Sequence, residues 1–170
     1  MSQKIYIISD MHFGHANIIK YGNRPFKDKY EMDEVITSNW NKVIKKEYYV
    51  FVLGDVSLYG KDRTKEIISK LNGRKYLIMG NHDRSKSIKY WMDVGFENVS
   101  KYPICINEFY WLSHEPMYLN GNMPYVNIHG HIHSKKIDSE QYYNVSVECI
   151  NYKPIDFDVI KNKINTSFNK

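Results

Sequence analysis

An α/β fold is predicted by the way the pattern of this chain changes along its length. Up to about residue 93, apolar β-favouring runs alternate with stretches of helical period; from Phe96 onward short β-like runs follow one another, separated by turn residues. A further observation concerns how the runs end, which is repeatedly in carboxylate, amide or imidazole side chains. The 170 residues suit one domain, 1–170, long enough to bury about two-thirds of its unfolded surface.

Ile5 to Ile8 is an uninterrupted β-favouring run ending in Ser9-Asp10-Met11-His12-Phe13-Gly14-His15. Asp10 and His12 are two apart, so in an extended segment they point to the same side and can reach one metal ion. His15 and Asn17 follow at the start of a short helix, and Tyr21 to Tyr30, with Gly22, Pro25 and mixed charge, reads as a surface loop carrying Arg24. Glu31 to Lys46 places Met32, Val35, Ile36, Trp40, Val43 and Ile44 near helical spacing, which predicts an amphipathic helix with Trp40 in the core. Tyr48 to Leu53 is a second strand, closed by Gly54-Asp55. The two oxygens of such a carboxylate diverge and are placed to bridge two cations. Lys61 to Leu71 should be helical. Lys75 to Met79 then has the composition of a strand buried on both faces, and Gly80 lets the chain turn tightly into Asn81-His82-Asp83. Ser85 to Asp93 is expected as a short helix, with Asp83 as its cap. This order argues for parallel strands and right-handed crossovers, with ligands at the carboxyl ends of the strands.

The second half offers Val99 to Ile106, Phe109 to Ser113, Tyr125 to His129 and Tyr142 to Glu148 as strands. Turn residues such as Asn107-Glu108 and Asn120-Gly121-Asn122 separate them, so hairpins and mainly antiparallel pairing are expected. Lys153-Pro154 precedes a last helix over Ile155 to Ile164.

Net charge is +5 and the pI about 9.0, but lysines alternate with acids instead of forming a block. That admits a small anionic substrate without requiring nucleic acid. Cys105 and Cys149 form no C-x-x-C pair, which argues against a disulfide framework or thiolate metal site and fits a reducing cytoplasm. The first strand begins too early for a secretory leader, and no run approaches the ~20 apolar residues of a membrane helix. The fifteen tyrosines show no spacing that would make a base-stacking platform.

Ser113-His114-Glu115-Pro116 and Asn127-Ile128-His129-Gly130-His131-Ile132-His133 end two more runs, and all seven histidines lie in such segments. Asp10, His12, Asp55, Asn81, His114, His131 and His133 make a seven-ligand set suited to two ions sharing one carboxylate. A mixed nitrogen and oxygen set without thiolate points away from structural zinc.

D-x-H, G-D, G-N-H-D, a lone strand-end His and G-H-x-H, in that order, resemble the calcineurin-like metallophosphoesterase superfamily over Ile5 to His133. The resemblance implies a sandwich of two mixed β-sheets flanked by helices, with a dinuclear site at the strand ends. It implies Asp10, His12, Asp55 and His133 around one metal, and Asp55, Asn81, His114 and His131 around the other. His82 matches the catalytic histidine, beside the phosphoryl group and off the metals. Two divalent ions are expected, manganese first, with iron, nickel, cobalt or zinc as alternatives. The substrate is expected to be small and phosphorylated, a nucleotide-type diester before a monoester or phosphoprotein, with His15, Asn17 and Arg24 facing its phosphate. Only 37 residues follow His133, so the capping domains of nuclease members, and with them duplex nucleic acid, are not expected. No membrane partner is expected, a homo-oligomer is compatible, and a silent binding scaffold is the alternative of another class. His129 and Glu115 match no ligand and are expected to be structural.

Overall fold

A computed structural model describes residues 3–168. Five strands form one sheet in the order β4-β3-β2-β1-β9: β1 (Ile5–Ile8), β2 (Tyr49–Val52), β3 (Arg74–Ile78), β4 (Asn98–Ser100) and β9 (Ile155–Asp156). The first four are parallel neighbours, and β9 runs antiparallel to β1. The second sheet is β5-β6-β7-β8, from β5 (Ile104–Ile106), β6 (Tyr110–Leu112), β7 (Val126–His129) and β8 (Tyr142–Asn144). Both sheets are mixed. Ile7, Val52 and Leu77 of the first sheet and Leu112 and Ile128 of the second belong to one buried cluster, so the inner faces share a core. Ser9 joins the sheets: its N–H donates to Val145 O (3.0 Å), its carbonyl accepts from Val147 N (3.1 Å), and its hydroxyl donates to Leu53 O (2.6 Å).

The helices follow from amphipathic spacing. α1 (Ala16–Tyr21), α2 (Lys29–Val43), α3 (Lys61–Lys70) and α4 (Ile88–Asp93) alternate with the first strands, and α5 (Phe157–Phe168) closes the chain. Asp28 caps α2 by accepting from Tyr30 and Glu31 N–H, and Trp40 is fully buried with its indole N–H on Asn72 O (2.8 Å).

Four expectations need correction. The second sheet is mainly parallel, because β6–β7 and β7–β8 are both parallel and only β5–β6 is an antiparallel hairpin, turning on Asn107 and Glu108 at positive φ. Parallel neighbours need crossovers. Here the crossovers are the irregular stretches 113–125 and 130–141, so no helical period in the sequence announces them. The run Val99 to Ile106 is two strands in different sheets, broken around Pro103, and Ile155 begins as strand β9 before α5 starts. Asp83, expected as a helix cap, is fully buried; Ser87 caps α4 instead.

Candidate metal centre

Carboxylates and imidazoles converge at the carboxyl ends of the parallel strands, in three overlapping groups that could hold metal. Asp10, His12 and His133; His12, Asp55 and His82; and Asp55, His114 and His131 each offer donor atoms within 4.8 Å of one another. Asp55 is common to two groups. Its Oδ1 accepts the backbone N–H of His82 (3.0 Å), while its Oδ2 lies 3.4 Å from His12 Nε2 and 3.4 Å from His114 Nε2. One oxygen, not two diverging ones, therefore faces both halves of the site.

Backbone conformation aims these side chains. Asp10, His12, Asp55, His131 and His133 all have φ between 51° and 69°, in the left-handed region. For an L-residue that costs roughly 1–2 kcal/mol each, so the surroundings must enforce it. Asp10 N donates to Gly54 O (3.1 Å), His12 N to Asp55 O (2.9 Å), and His131 N to Asp10 Oδ2 (2.9 Å). Asp83 fastens the next loop: its carboxylate accepts from Asp55, Val56 and Gly80 N–H. Burial pushes its pKa up to about 6 against the pull of those donors. Gly80 is required because a Cβ there would overlap the Asp55 carboxylate, and Gly130 because one would overlap Ser9 and Asp10. Gly80 thus serves close approach and does not adopt positive φ.

The ring nitrogens presented inward become metal donors when they carry no proton. His114 Nδ1 is 2.7 Å from Leu53 O and must carry the proton, which leaves Nε2 facing Asn81 Oδ1 at 2.9 Å. His131 Nδ1 lies 3.1 Å from both Asn81 Oδ1 and His114 Nε2. With Asp55 Oδ2, these atoms make a compact group of donor atoms that could hold a metal ion. Burial opposes charge on His114, yet its hydrogen bond to Asp55, the charges of Asp10 and Asp55 and the Leu53 carbonyl outweigh burial and raise its pKa to about 9. Asp55 is pulled to about 2 because His114, His12 and the His82 N–H together overcome its burial. In the other half, Asp10 Oδ1 and both ring nitrogens of His12 are buried without a hydrogen-bond partner, Oδ1 and Nε2 facing each other at 3.9 Å. Orphaned buried groups of this kind cost about 1–3 kcal/mol apiece. Burial depresses His12 to about 2, so it is a neutral imidazole available as a ligand. The residues fit divalent metal.

His82 stands at the open side with its side chain 45% exposed, its ring 5.3 Å from that of His12. His15 caps α1 by accepting Ile18 N–H at Nδ1 (3.2 Å), which leaves Nε2 as its N–H; the ring is 5.5 Å from His12 and 6.3 Å from His82. Asn17 is exposed in the first turn of α1, with no contact to the cluster among the described residues. A surface cleft of about 610 Å³ beside β8 and α5 contains none of these residues.

Residues 3–164 match the profile of the calcineurin-like phosphoesterases. The chain belongs to that family. Members of the family are generally metal-dependent hydrolases. An uncharacterized protein of Methanocaldococcus jannaschii is 38% identical over 172 residues, 93% of this chain and 89% of that protein. The gene 66 protein of Mycobacterium phage L5 is 34% identical over 107 residues, 56% of this chain and 50% of its own length. The crystal structure of a protein of unknown function from Aquifex aeolicus superimposes with a TM-score of 0.74 at 28% identity, covering 95% of this chain and 99% of the other. No helix among the described residues is long and apolar enough to cross a membrane.

Arg24 requires a correction. The guanidinium expected to face substrate is buried, with Nη2 on Asp10 O (2.7 Å), Nη1 on Met11 O (3.0 Å) and Nε on Glu148 Oε1 (2.9 Å). Its donors are taken by the protein's own groups. Arg24→Ala is therefore expected to destabilise the fold by about 3–5 kcal/mol, the range for stranding one partner of a buried ion pair. Chemical denaturation measures it, and a stable variant altered only in KM would return Arg24 to the substrate.

Glu148, Ser146 and Asp83 were missed as site residues. Ser146 Oγ donates to Asp10 Oδ2 (3.0 Å) and Glu148 reaches His133. Only Asp83 had a signal in the sequence, its place next to His82. His129 is buried, with Nδ1 on Gly130 O, and Glu115 pairs with Arg84 at the surface.

Proposed function

We propose that this chain is a two-metal phosphoesterase that hydrolyses a small phosphate ester, a nucleotide-type diester before a monoester or phosphoprotein. The observation that carries the reading is Asp55 Oδ2, equidistant from imidazoles of two lone-pair clusters, with His82 beside it. Asp10, His12, Asp55 and His133 would hold one ion and Asp55, Asn81, His114 and His131 the other, manganese first. When bound, the ions supply Lewis-acid polarisation of the phosphoryl oxygens and a water nucleophile near neutral pH.

The protein's own groups do the rest. His82, anchored through its N–H to Asp55 and open to solvent, donates a proton to the departing oxygen. His15, whose ring lies 5.5 Å from His12 and 6.3 Å from His82 and whose Nδ1 is taken by Ile18 N–H, would offer its Nε2–H to a phosphoryl oxygen. The unpartnered buried Asp10 Oδ1 and His12 ring nitrogens support a bound cation, which would offset their burial.

The test strips the protein of metal, restores manganese, iron, nickel, cobalt or zinc singly, and assays mono-, di- and cyclic phosphoesters. Turnover of a diester with at least one ion, faster than of the matching monoester, is expected. A monoester preference would move the substrate class, and silence with every ion would favour the scaffold.

A further inference from the structure

The strongest unassigned feature is a buried carboxylate one contact behind the metal centre. Glu148 sits in the 3-10 turn Val147–Cys149, its side chain 5% exposed, 15 residues beyond His133 and 124 beyond Arg24. A single oxygen, Oε1, accepts from three donors: Arg24 Nε (2.9 Å), Arg24 Nη2 (2.8 Å) and His133 Nδ1 (3.0 Å). Arg24 in turn holds the carbonyls of Asp10 and Met11, in the strained turn that carries Asp10 and His12. Gly22 makes room for this, since a Cβ there would come within 3.1 Å of Glu148 Oε1.

We propose that Glu148 is a positioning residue: locked by Arg24, its carboxylate holds the Nδ1–H of His133, so that Nε2 of that ring is the lone pair presented to Asp10 and His12. The inference rests on the two-metal reading above. His133 offers a nitrogen within 4.8 Å of donors from Asp10 and His12, and its ring stacks on that of His12 at 5.4 Å. With Nδ1 engaged by Glu148, only Nε2 remains free. A carboxylate behind a ligating imidazole fixes the tautomer, orients the ring and raises its basicity. Arg24 adds a second function to the same contact. It ties the turn bearing Asp10 and His12 to the carboxylate that aims His133, so three ligands contributed by distant parts of the chain share one internal brace.

Two measurements on the full chain test this. In the metal-free protein, at alkaline pH where the ring is neutral, nitrogen-15 NMR of His133 should show the proton on Nδ1. Manganese titration of the parent should show two equivalents. The paired variant Arg24→Met with Glu148→Leu removes both charges together and so strands neither. It should lose the Nδ1–H preference and bind one equivalent about 10- to 100-fold more weakly, the other equivalent being unchanged. If circular dichroism shows that this variant does not fold, Glu148→Gln, which keeps an acceptor but not the charge, should weaken the same equivalent about tenfold. A parent with the proton on Nε2, or a folded variant that binds both equivalents as tightly as the parent, overturns the proposal. A parent that shows the Nδ1–H tautomer but binds no metal overturns the two-metal reading and leaves the contact between Glu148 and His133 standing.

Discussion

Replacing His82 by alanine is expected to lower turnover by a factor of about a hundred or more while the protein keeps both metal equivalents. That is the range for removing a positioned proton donor. The expectation rests on where the two ends of the residue lie. Its backbone N–H is fixed on Asp55 Oδ1 (3.0 Å), and alanine preserves that bond, so the carboxylate should stay in place. Its ring is exposed, 4.0 Å from Asp55 Oδ2, whereas the rings of His12 and His114 are buried. Because His82 also forms a donor group with His12 and Asp55, metal analysis of the purified variant is the deciding measurement. Loss of one equivalent would make His82 a ligand.

The larger effect is expected from Asp55→Asn, which should abolish turnover and remove much of the metal together. Asparagine can still accept the His82 N–H through its amide oxygen. Its amide nitrogen would then occupy the place of Oδ2, turning N–H donors toward His12 Nε2 and His114 Nε2, each 3.4 Å away in the parent. The site would lose a negative charge and gain protons where a cation belongs. His114, whose pKa of about 9 depends in part on Asp55, should fall toward an ordinary imidazole value. Elemental analysis together with turnover checks this. A variant that retained two tightly held ions and near-normal activity would remove Asp55 from its position between the metals.

Local spacing carried most of the site because strand periodicity and strand ends are short-range features. Asp10 and His12, Asn81 and His82, His131 and His133 are each within two residues of one another and each pair follows a β-favouring run, so their place at strand ends could be read directly, though not their aim, because Asp10, His12, His131 and His133 are left-handed and not extended. The parallel first sheet was legible for a related reason: its crossovers are helices, and helices announce themselves by period. In the second sheet the crossovers carrying His114, His131 and His133 are irregular, and the same rule of short β-like runs separated by turn residues pointed to hairpins that are not there.

Arg24 shows the limit most clearly. A polar loop with Gly22 and Pro25 reads as surface, and only the carboxylate of Glu148, 124 residues away, together with the carbonyls of Asp10 and Met11, draws the guanidinium inside. Ser146 reaches Asp10 across 136 positions in the same way. The sequence by itself determined the alternating first half and the strand-end segments from which the clustered polar side chains come. Tertiary structure alone decided the direction of the second sheet, the left-handed backbone at Asp10, His12, Asp55, His131 and His133, the single Asp55 oxygen that faces both clusters, and the buried contact of Arg24 with Glu148. The physical reason is that these depend on hydrogen bonds and burial between segments far apart in the chain, which leave no periodicity in either segment.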